Sequence, residues 1–177
     1  LVNPGPLAAE VVVEHVEAVV AARTLAGGEF AQIELPSAEV DGSAPGTFNT
    51  GTGSALARRA FRVVSSRPLA AYQHNPLSAL PFSSDASLLL PTHAVGTDYV
   101  VGGWPQTVAD TDDPETDSGT NLRAFVTIVA TAAGGVTVMP SVELLGGEGV
   151  PPSTPPGGLT VNMEAFDVLN LETDGFL

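Results

Sequence analysis

The chain has 177 residues, 44% of them apolar, which is enough to bury the core of one or two domains without disulfide or metal staples. Its 20 acidic residues stand against six arginines for a net charge of −14, so no basic face is available for nucleic acid or an anionic membrane. The lack of cysteine and lysine excludes disulfides, thiolate zinc sites, cysteine nucleophiles and Schiff-base chemistry.

Short β-branched runs separated by 19 glycines and 15 prolines predict many strands joined by turns. Between residues 8 and 22, six valines favour strand over the helix that the alanines and glutamates also permit. The predicted fold class is all-β, an antiparallel β-sandwich or two small β lobes. Strands are predicted near residues 9–16, 18–25, 29–35, 58–65, 69–74, 86–90, 97–103, 122–131, 134–139 and 165–171.

Two turns and two loops organise these strands. Ala26–Glu29 reads as a hairpin turn, and Gly134-Gly135 as a two-residue hairpin between apolar runs. Residues 40–54 are rich in Gly, Ser and Thr, and residues 145–158 in Pro and Gly, a composition typical of segments that separate layers or small domains. We therefore predict an N-terminal β lobe over 1–55 and a main β lobe over 56–177, or one continuous domain.

No stretch approaches the roughly 20 apolar residues of a membrane-spanning helix, so none is predicted. The first residues are neither a methionine start nor a signal peptide. We expect the chain to be a mature piece or a fragment of a longer protein.

An acidic loop is the candidate metal site of this sequence. Calcium takes about six to eight oxygen ligands, which such a loop can supply. The spacing is not that of an EF-hand, because the twelfth position counted from Asp113 is Ala124 rather than glutamate. A solvated loop without metal is the alternative, and no other cofactor is expected. The candidate ligands are Asp110, Asp112, Asp113, Glu115 and Asp117.

The candidate ligand or partner residues are basic and aromatic. Arginines clustered near residue 60 would form a small anion or partner site, or else pair internally with carboxylates. The aromatic side chains at positions 72, 82, 99 and 104 would form a carbohydrate-stacking platform or, alternatively, pack in the core. The candidates are Arg58, Arg59, Arg62 and Trp104.

No constellation of catalytic residues stands out in the sequence. Its three histidines lack metal-ligand spacing, and no Gly-x-Ser-x-Gly elbow is present. The run Asp117-Ser118-Gly119-Thr120 matches a short aspartic-protease pattern, but it follows loop residues and reads as a turn. We therefore predict a protein that is not an enzyme.

Residues 61–101, FRVVSSRPLAAYQHNPLSALPFSSDASLLLPTHAVGTDYVV, form the most specific block. The block resembles the signature of the IgGFc-binding protein N-terminal domain family, seen in mucus glycoproteins and in many secreted or surface proteins of bacteria. Within it, Ser83-Ser84-Asp85 predicts a turn before a buried strand over residues 88–90, with the Asp85 carboxylate accepting backbone N–H bonds. The signature residues are Tyr72, Asn75, Pro76, Asp85, Pro91 and Tyr99.

Further blocks are similar to the same family: the opening Val2-Asn3-Pro4, the run 125–140 that resembles a family hairpin, and the strand 166–173. Family members usually continue past this last strand. This difference leads us to expect an incomplete sheet with an exposed edge, and exposed edges pair with other strands.

The resemblance and the acidic, lysine-free composition imply a secreted or cell-surface binding or adhesion module, with a protein or a glycan as partner. One alternative is a structural subunit that assembles with copies of itself into a filament or coat by strand addition. A further alternative is a calcium-stabilised glycan-binding module.

Overall fold

The protein is all-β, as the sequence predicts, with antiparallel strand pairing throughout its sheets. The computed structural model describes residues 1–36, 53–75, 85–103 and 123–174. In these ranges a 3₁₀ turn, Thr92–Ala94, accompanies the strands. The strands are β1 Ala9–His15, β2 Ala18–Leu25, β3 Ala55–Arg58, β4 Phe61–Ser65, β5 Tyr72–Asn75, β6 Asp85–Leu88, β7 Phe125–Val129, β8 Gly134–Val138, β9 Glu143–Leu144, β10 Leu159–Met163 and β11 Asp167–Asp174.

The strands fall into two compact units, each built from two chain segments. The first unit comprises Leu1–Pro36 and Phe61–Tyr99, and the second comprises Ser37–Ala60 and Val100–Leu177. The single strand predicted over 58–65 is two strands, β3 and β4, one in each unit. The contacts thus group the chain differently from lobes divided at residue 55, because strands far apart in sequence pair with each other.

The first unit contains a three-stranded sheet of order β2-β1-β4 and the two-stranded hairpin β5-β6. In β1 the alternate residues Ala9, Val11 and Val13 are buried, which is the period of a strand, so the helix alternative for residues 8–22 is wrong. The register between β1 and β2 shifts after Val13, leaving one extra residue on β2.

Two predicted strands, one in the first unit and one across the boundary between the units at residue 99, do not form. The alternating run 29–35 contributes an isolated bridge between Phe30 and Val2, and residues 97–103 have no strand structure. The turn before Phe30 does form: Glu29 donates its N–H to Ala26 O, and Gly28 has a positive φ of 77°. Alternation of apolar and polar residues therefore favours a strand, but at these positions no neighbouring strand pairs with the run.

The second unit is a small sandwich. One sheet has the order β3-β11-β7, with the short β9 also pairing with β11, and the other sheet pairs β10 with β8. Leu169 and Leu171 of the central strand β11 are fully buried and share one core with Leu159, Val161 and Met163 of β10. Apolar side chains of β7 and β8 pack against the same core, so the two sheets enclose it.

One sequence interpretation of the second unit is wrong and another is confirmed. Gly134-Gly135 is not a hairpin between its neighbours, because β7 pairs with β11 while β8, which includes both glycines, pairs with β10. Residues 145–158 connect β9 of one sheet to β10 of the other, so they separate the two layers as predicted, and part of this loop is packed. Val150 and Ser153 within that loop are buried, and Ser153 forms a bridge with Leu144 of β9.

Candidate functional site

The hairpin β5-β6 and the two residues that follow it carry exposed apolar side chains, named here the signature surface: Tyr72, Leu88, Leu89 and Leu90. Tyr72 and Leu88 are direct cross-strand partners, and Leu89 extends the pairing by donating its N–H to Ala71 O at 2.9 Å. The exposed fractions are 50% for Tyr72, 53% for Leu88, 40% for Leu89 and 63% for Leu90. Such exposure of large apolar side chains is typical of surfaces that bind partners.

This exposure contradicts two sequence interpretations. The strand over residues 88–90 is not buried, since every side chain from 86 to 103 is exposed. The core-packing interpretation is wrong for both tyrosines, because Tyr99 is also 67% exposed. Within the described residues no second sheet covers this hairpin, so its apolar residues, which in a sandwich would pack inward, face solvent.

The other signature residues shape the hairpin backbone. Asn75 and Asp85 are the last cross-strand pair, at the end where the connecting segment leaves the two strands. Pro91 precedes the 3₁₀ turn and accepts the N–H of Ala94 at 2.8 Å. Pro76 lies outside the described residues, and the predicted role of the Asp85 carboxylate stays a prediction.

Two of the candidate arginines, one in each unit, contact carboxylates. Arg62 of β4 is the cross-strand partner of Glu14 and forms an ion pair with it at 2.6 Å. The Nε of Arg58 on β3 lies 3.9 Å from Oδ1 of Asp167. These contacts support the interpretation of internal pairing, while a role in partner binding stays a prediction. Arg59 donates its backbone N–H to Phe166 O.

The remaining candidates fall outside the described residues. They are Trp104 and the proposed calcium ligands Asp110, Asp112, Asp113, Glu115 and Asp117. In the part of the chain that the structure describes, no group of three or more histidine, aspartate or glutamate side chains is placed to hold a metal ion. No helix of that part is long and apolar enough to cross a membrane.

The sequence did not predict a buried polar network on β11. The Asn170 amide donates to Gly53 O at 2.8 Å, and its Oδ1 accepts the hydroxyl of Thr127 at 2.8 Å. Next along the strand, Glu172 accepts the N–H of Gly53 at 2.7 Å and lies 3.6 Å from Arg123. Asn170 is only 1% exposed, so its satisfied amide contributes to fold specificity rather than to ligand binding.

Asn3 has a similar structural role near the chain start. Its Nδ2 donates to the carbonyls of Leu7, Leu25 and Ala26 at 2.9 to 3.0 Å, and its Oδ1 accepts the N–H of Gly5. An asparagine before a proline and a glycine is a turn signal that could have pointed to this residue.

A shallow surface pocket of 310 Å³ lies beside Asn3. Its other walls are Pro4, Gly5, Pro6, Leu7, Arg67 and Pro68. Arg67 donates its Nε to Ala8 O at 3.1 Å, and the lining offers neither a carboxylate nor a nucleophile. The arrangement does not provide the groups of an acid–base or nucleophilic site.

Comparison with known proteins points to one family. A family model described as IgGFc binding protein matches residues 85–177, slightly more than half of the chain. The match includes β6, which carries Leu88 of the signature surface, and every strand from β7 to β11. No curated protein and no solved structure gives a significant match.

Proposed function

Because the chain belongs to the IgGFc-binding protein family, we propose that it is an extracellular module that binds a protein partner through the signature surface. The family is a binding family and is typically extracellular, and it implies protein partners. The observation that carries the proposal is the exposed apolar pair of Tyr72 and Leu88 within the family's characteristic block.

The chemistry of the signature surface suits a protein partner. Tyrosine supplies a large ring and a hydroxyl, and it is among the residues enriched where proteins bind one another. The neighbouring leucines add apolar area that a partner would remove from water, at roughly 25 cal/mol per Å². The net charge of −14 favours partners with a basic or neutral rim over acidic ones.

The test is a binding measurement with paired variants. Immobilised chain is exposed to purified immunoglobulin Fc, to a panel of secreted proteins and to a glycan panel. We expect at least one protein ligand to bind, and the double variant Tyr72→Ser with Leu88→Ser to weaken that binding by about tenfold or more, as loss of central contacts does.

Val64→Ser provides the matched control, because Val64 is 45% exposed on β4, a strand of a different sheet. The control should bind like the unmodified chain. Binding to glycans alone, or equal binding by the double variant and the unmodified chain, would contradict the proposal.

The calcium-stabilised glycan-binding alternative depends on the acidic loop at 110–117, outside the described residues. It predicts that millimolar calcium raises the melting temperature, since a ligand that binds only the folded state stabilises it by mass action. An unchanged melting temperature in calcium would remove this alternative.

A further inference from the structure

β7 is an edge strand without the features that usually protect an edge. Among the described residues it pairs only with β11. Its sequence, Phe-Val-Thr-Ile-Val, contains no charged residue, proline or glycine. Edge strands of soluble proteins are commonly protected by charges, prolines, bulges or covering segments, because their free backbone groups otherwise pair with another chain.

Three of the other edges that the structure describes carry such protection. β2 contains the bulge and Arg23, and β4 carries Arg62. The outer side of β3 is covered where Leu56 donates its N–H to Glu148 O at 3.0 Å. β8 and β10 form a two-stranded sheet and also lack charged residues and proline, but the side chains that they expose are glycine, threonine and asparagine. Among the edge strands of five or more residues in this part of the chain, β7 therefore combines an uncharged sequence with large apolar side chains that are exposed.

The hydrogen-bond register shows which groups of β7 point outward. Ala124 O accepts the N–H of Thr173, and Ala130 donates its N–H to Asp167 O. Since the direction of backbone groups alternates along an antiparallel strand, the even-numbered residues bond to β11. The N–H and C=O groups of Phe125, Thr127 and Val129 consequently point away from β11, toward the open edge.

The side chains of the same residues are also available. Phe125 is 62% exposed and Val129 is 53% exposed. They share one face of the strand with Thr127, because successive side chains alternate between faces. Val126 and Ile128 on the opposite face pack against the core.

We propose that β7 pairs antiparallel with β7 of a second copy of this chain, with Thr127 on the two-fold axis. In this register Phe125 of each copy faces Val129 of the other, and Thr127 faces its equivalent. All outward-pointing backbone groups of the three residues then find partners, forming about six hydrogen bonds. The two Phe–Val contacts are aromatic–β-branched pairs, which stabilise adjacent strands.

Charge and area both predict that the two copies associate weakly. Two copies that each carry a net charge of −14 repel one another, but β7 itself brings no carboxylate to the contact, so we expect added salt to strengthen the association. The contact is isologous, so it closes as a dimer and does not propagate. A single strand pair buries less than the roughly 1,200 Å² of stable interfaces, so we expect dissociation at low concentration.

The first test measures mass against concentration by sedimentation equilibrium. We expect the 18.0 kDa chain to shift toward twice that mass as concentration rises. Phe125→Lys should raise the dissociation constant by about tenfold or more, since a lysine at the seam blocks edge pairing. Val19→Lys, at a β2 residue with 61% exposure, is the control of equal charge and should leave the constant unchanged.

A monomer at every concentration up to the millimolar range would overturn the proposal. So would a dimer that Phe125→Lys leaves intact, or one that Val19→Lys disrupts equally. Thermal unfolding of each variant verifies that it is folded before its mass is interpreted. Because the readout is self-association, its failure is distinct from a failure of partner binding at the signature surface.

The second test determines the register by disulfide crosslinking. The chain has no cysteine of its own, so only the introduced thiols can react. The double variant Phe125→Cys with Val129→Cys sets the thiol at position 125 of one copy opposite the thiol at position 129 of the other. The α-carbons of these facing residues would be about 5.5 Å apart, a distance that a disulfide spans. Mild oxidation should give a dimer whose peptide map joins position 125 to position 129. A map joining 125 to 125, or no dimer, would contradict the register.

Discussion

Gly147 lies directly against the backbone of Ser54, so that a β-carbon at position 147 would overlap the Ser54 carbonyl oxygen and lie 2.7 Å from its carbon. The contact is close because Leu56 donates its N–H to Glu148 O, which holds the Pro/Gly-rich loop against β3. A loop whose composition is typical of a linker is therefore part of the packed second unit.

Replacing Gly147 with alanine should destabilise the protein by about 3 kcal/mol or more, because the added carbon meets backbone that cannot rotate away. Urea unfolding followed by circular dichroism measures this loss. Gly134→Ala is the control, since nothing lies within 4 Å of a β-carbon at that position. Equal losses in the two variants would show that the loop is not docked on Ser54.

Asn170→Ala should lower the free energy of unfolding by about 2–4 kcal/mol. The substitution leaves the buried carbonyl of Gly53 without its amide donor and removes the acceptor of the Thr127 hydroxyl. Asn162→Ala, at an exposed position of β10, should lower the free energy of unfolding by much less. The measurement is the midpoint of chemical unfolding for both variants. A cost at Asn170 no larger than at Asn162 would argue against the buried network.

Asn3→Asp should be severely destabilising although the two side chains have the same shape. The substitution turns the Nδ2 donor, which serves three carbonyl oxygens, into an oxygen that repels them. We expect a lowered melting temperature in calorimetry, corresponding to about 3 kcal/mol or more. Asn162→Asp introduces the same charge at an exposed position, so a similar loss there would assign the effect to net charge instead.

The turn between β1 and β2 offers a stabilising change. Val16 and Glu17 form its two-residue loop with positive φ values of 50° and 71°, which β-branched and long side chains adopt at a cost. Val16→Asn with Glu17→Gly supplies the residues that such hairpin turns prefer, and should raise stability by about 1–2 kcal/mol.

The measurement for this turn is thermal unfolding alongside Gly28→Ala, which forces a side chain onto a φ of 77° and should lower stability. A loss of stability in the Asn-Gly variant would mean that the turn conformation differs from the one described.

The sequence predicted several strands well and their partners poorly. The runs 9–16, 18–25 and 165–171 correspond closely to β1, β2 and β11. β10 was not predicted, although Leu159, Val161 and Met163 alternate with Thr160 and Asn162. This alternation is typical of a strand, but the Pro/Gly-rich segment immediately before it favoured a loop prediction.

The candidate binding site was predicted less well than the fold. The family's characteristic block is recognisable from its residues, and the family match includes the part of it from residue 85 onward. The same residues predicted a buried leucine strand, which is exposed. Whether an apolar strand is covered depends on which layers pack over it, and no local pattern encodes that.

The sequence by itself determined that this protein is all-β, because β-branched runs separated by glycine and proline favour strands, and that it belongs to its family, because the family's block is recognisable from its residues. Only the tertiary structure decided that β7 leaves its neighbour β8 to pair with β11, that a linker-like loop is docked on Ser54, and that the signature hairpin faces solvent. These outcomes depend on competition among strands distant in sequence for the same core, and that competition is resolved by packing of the whole chain.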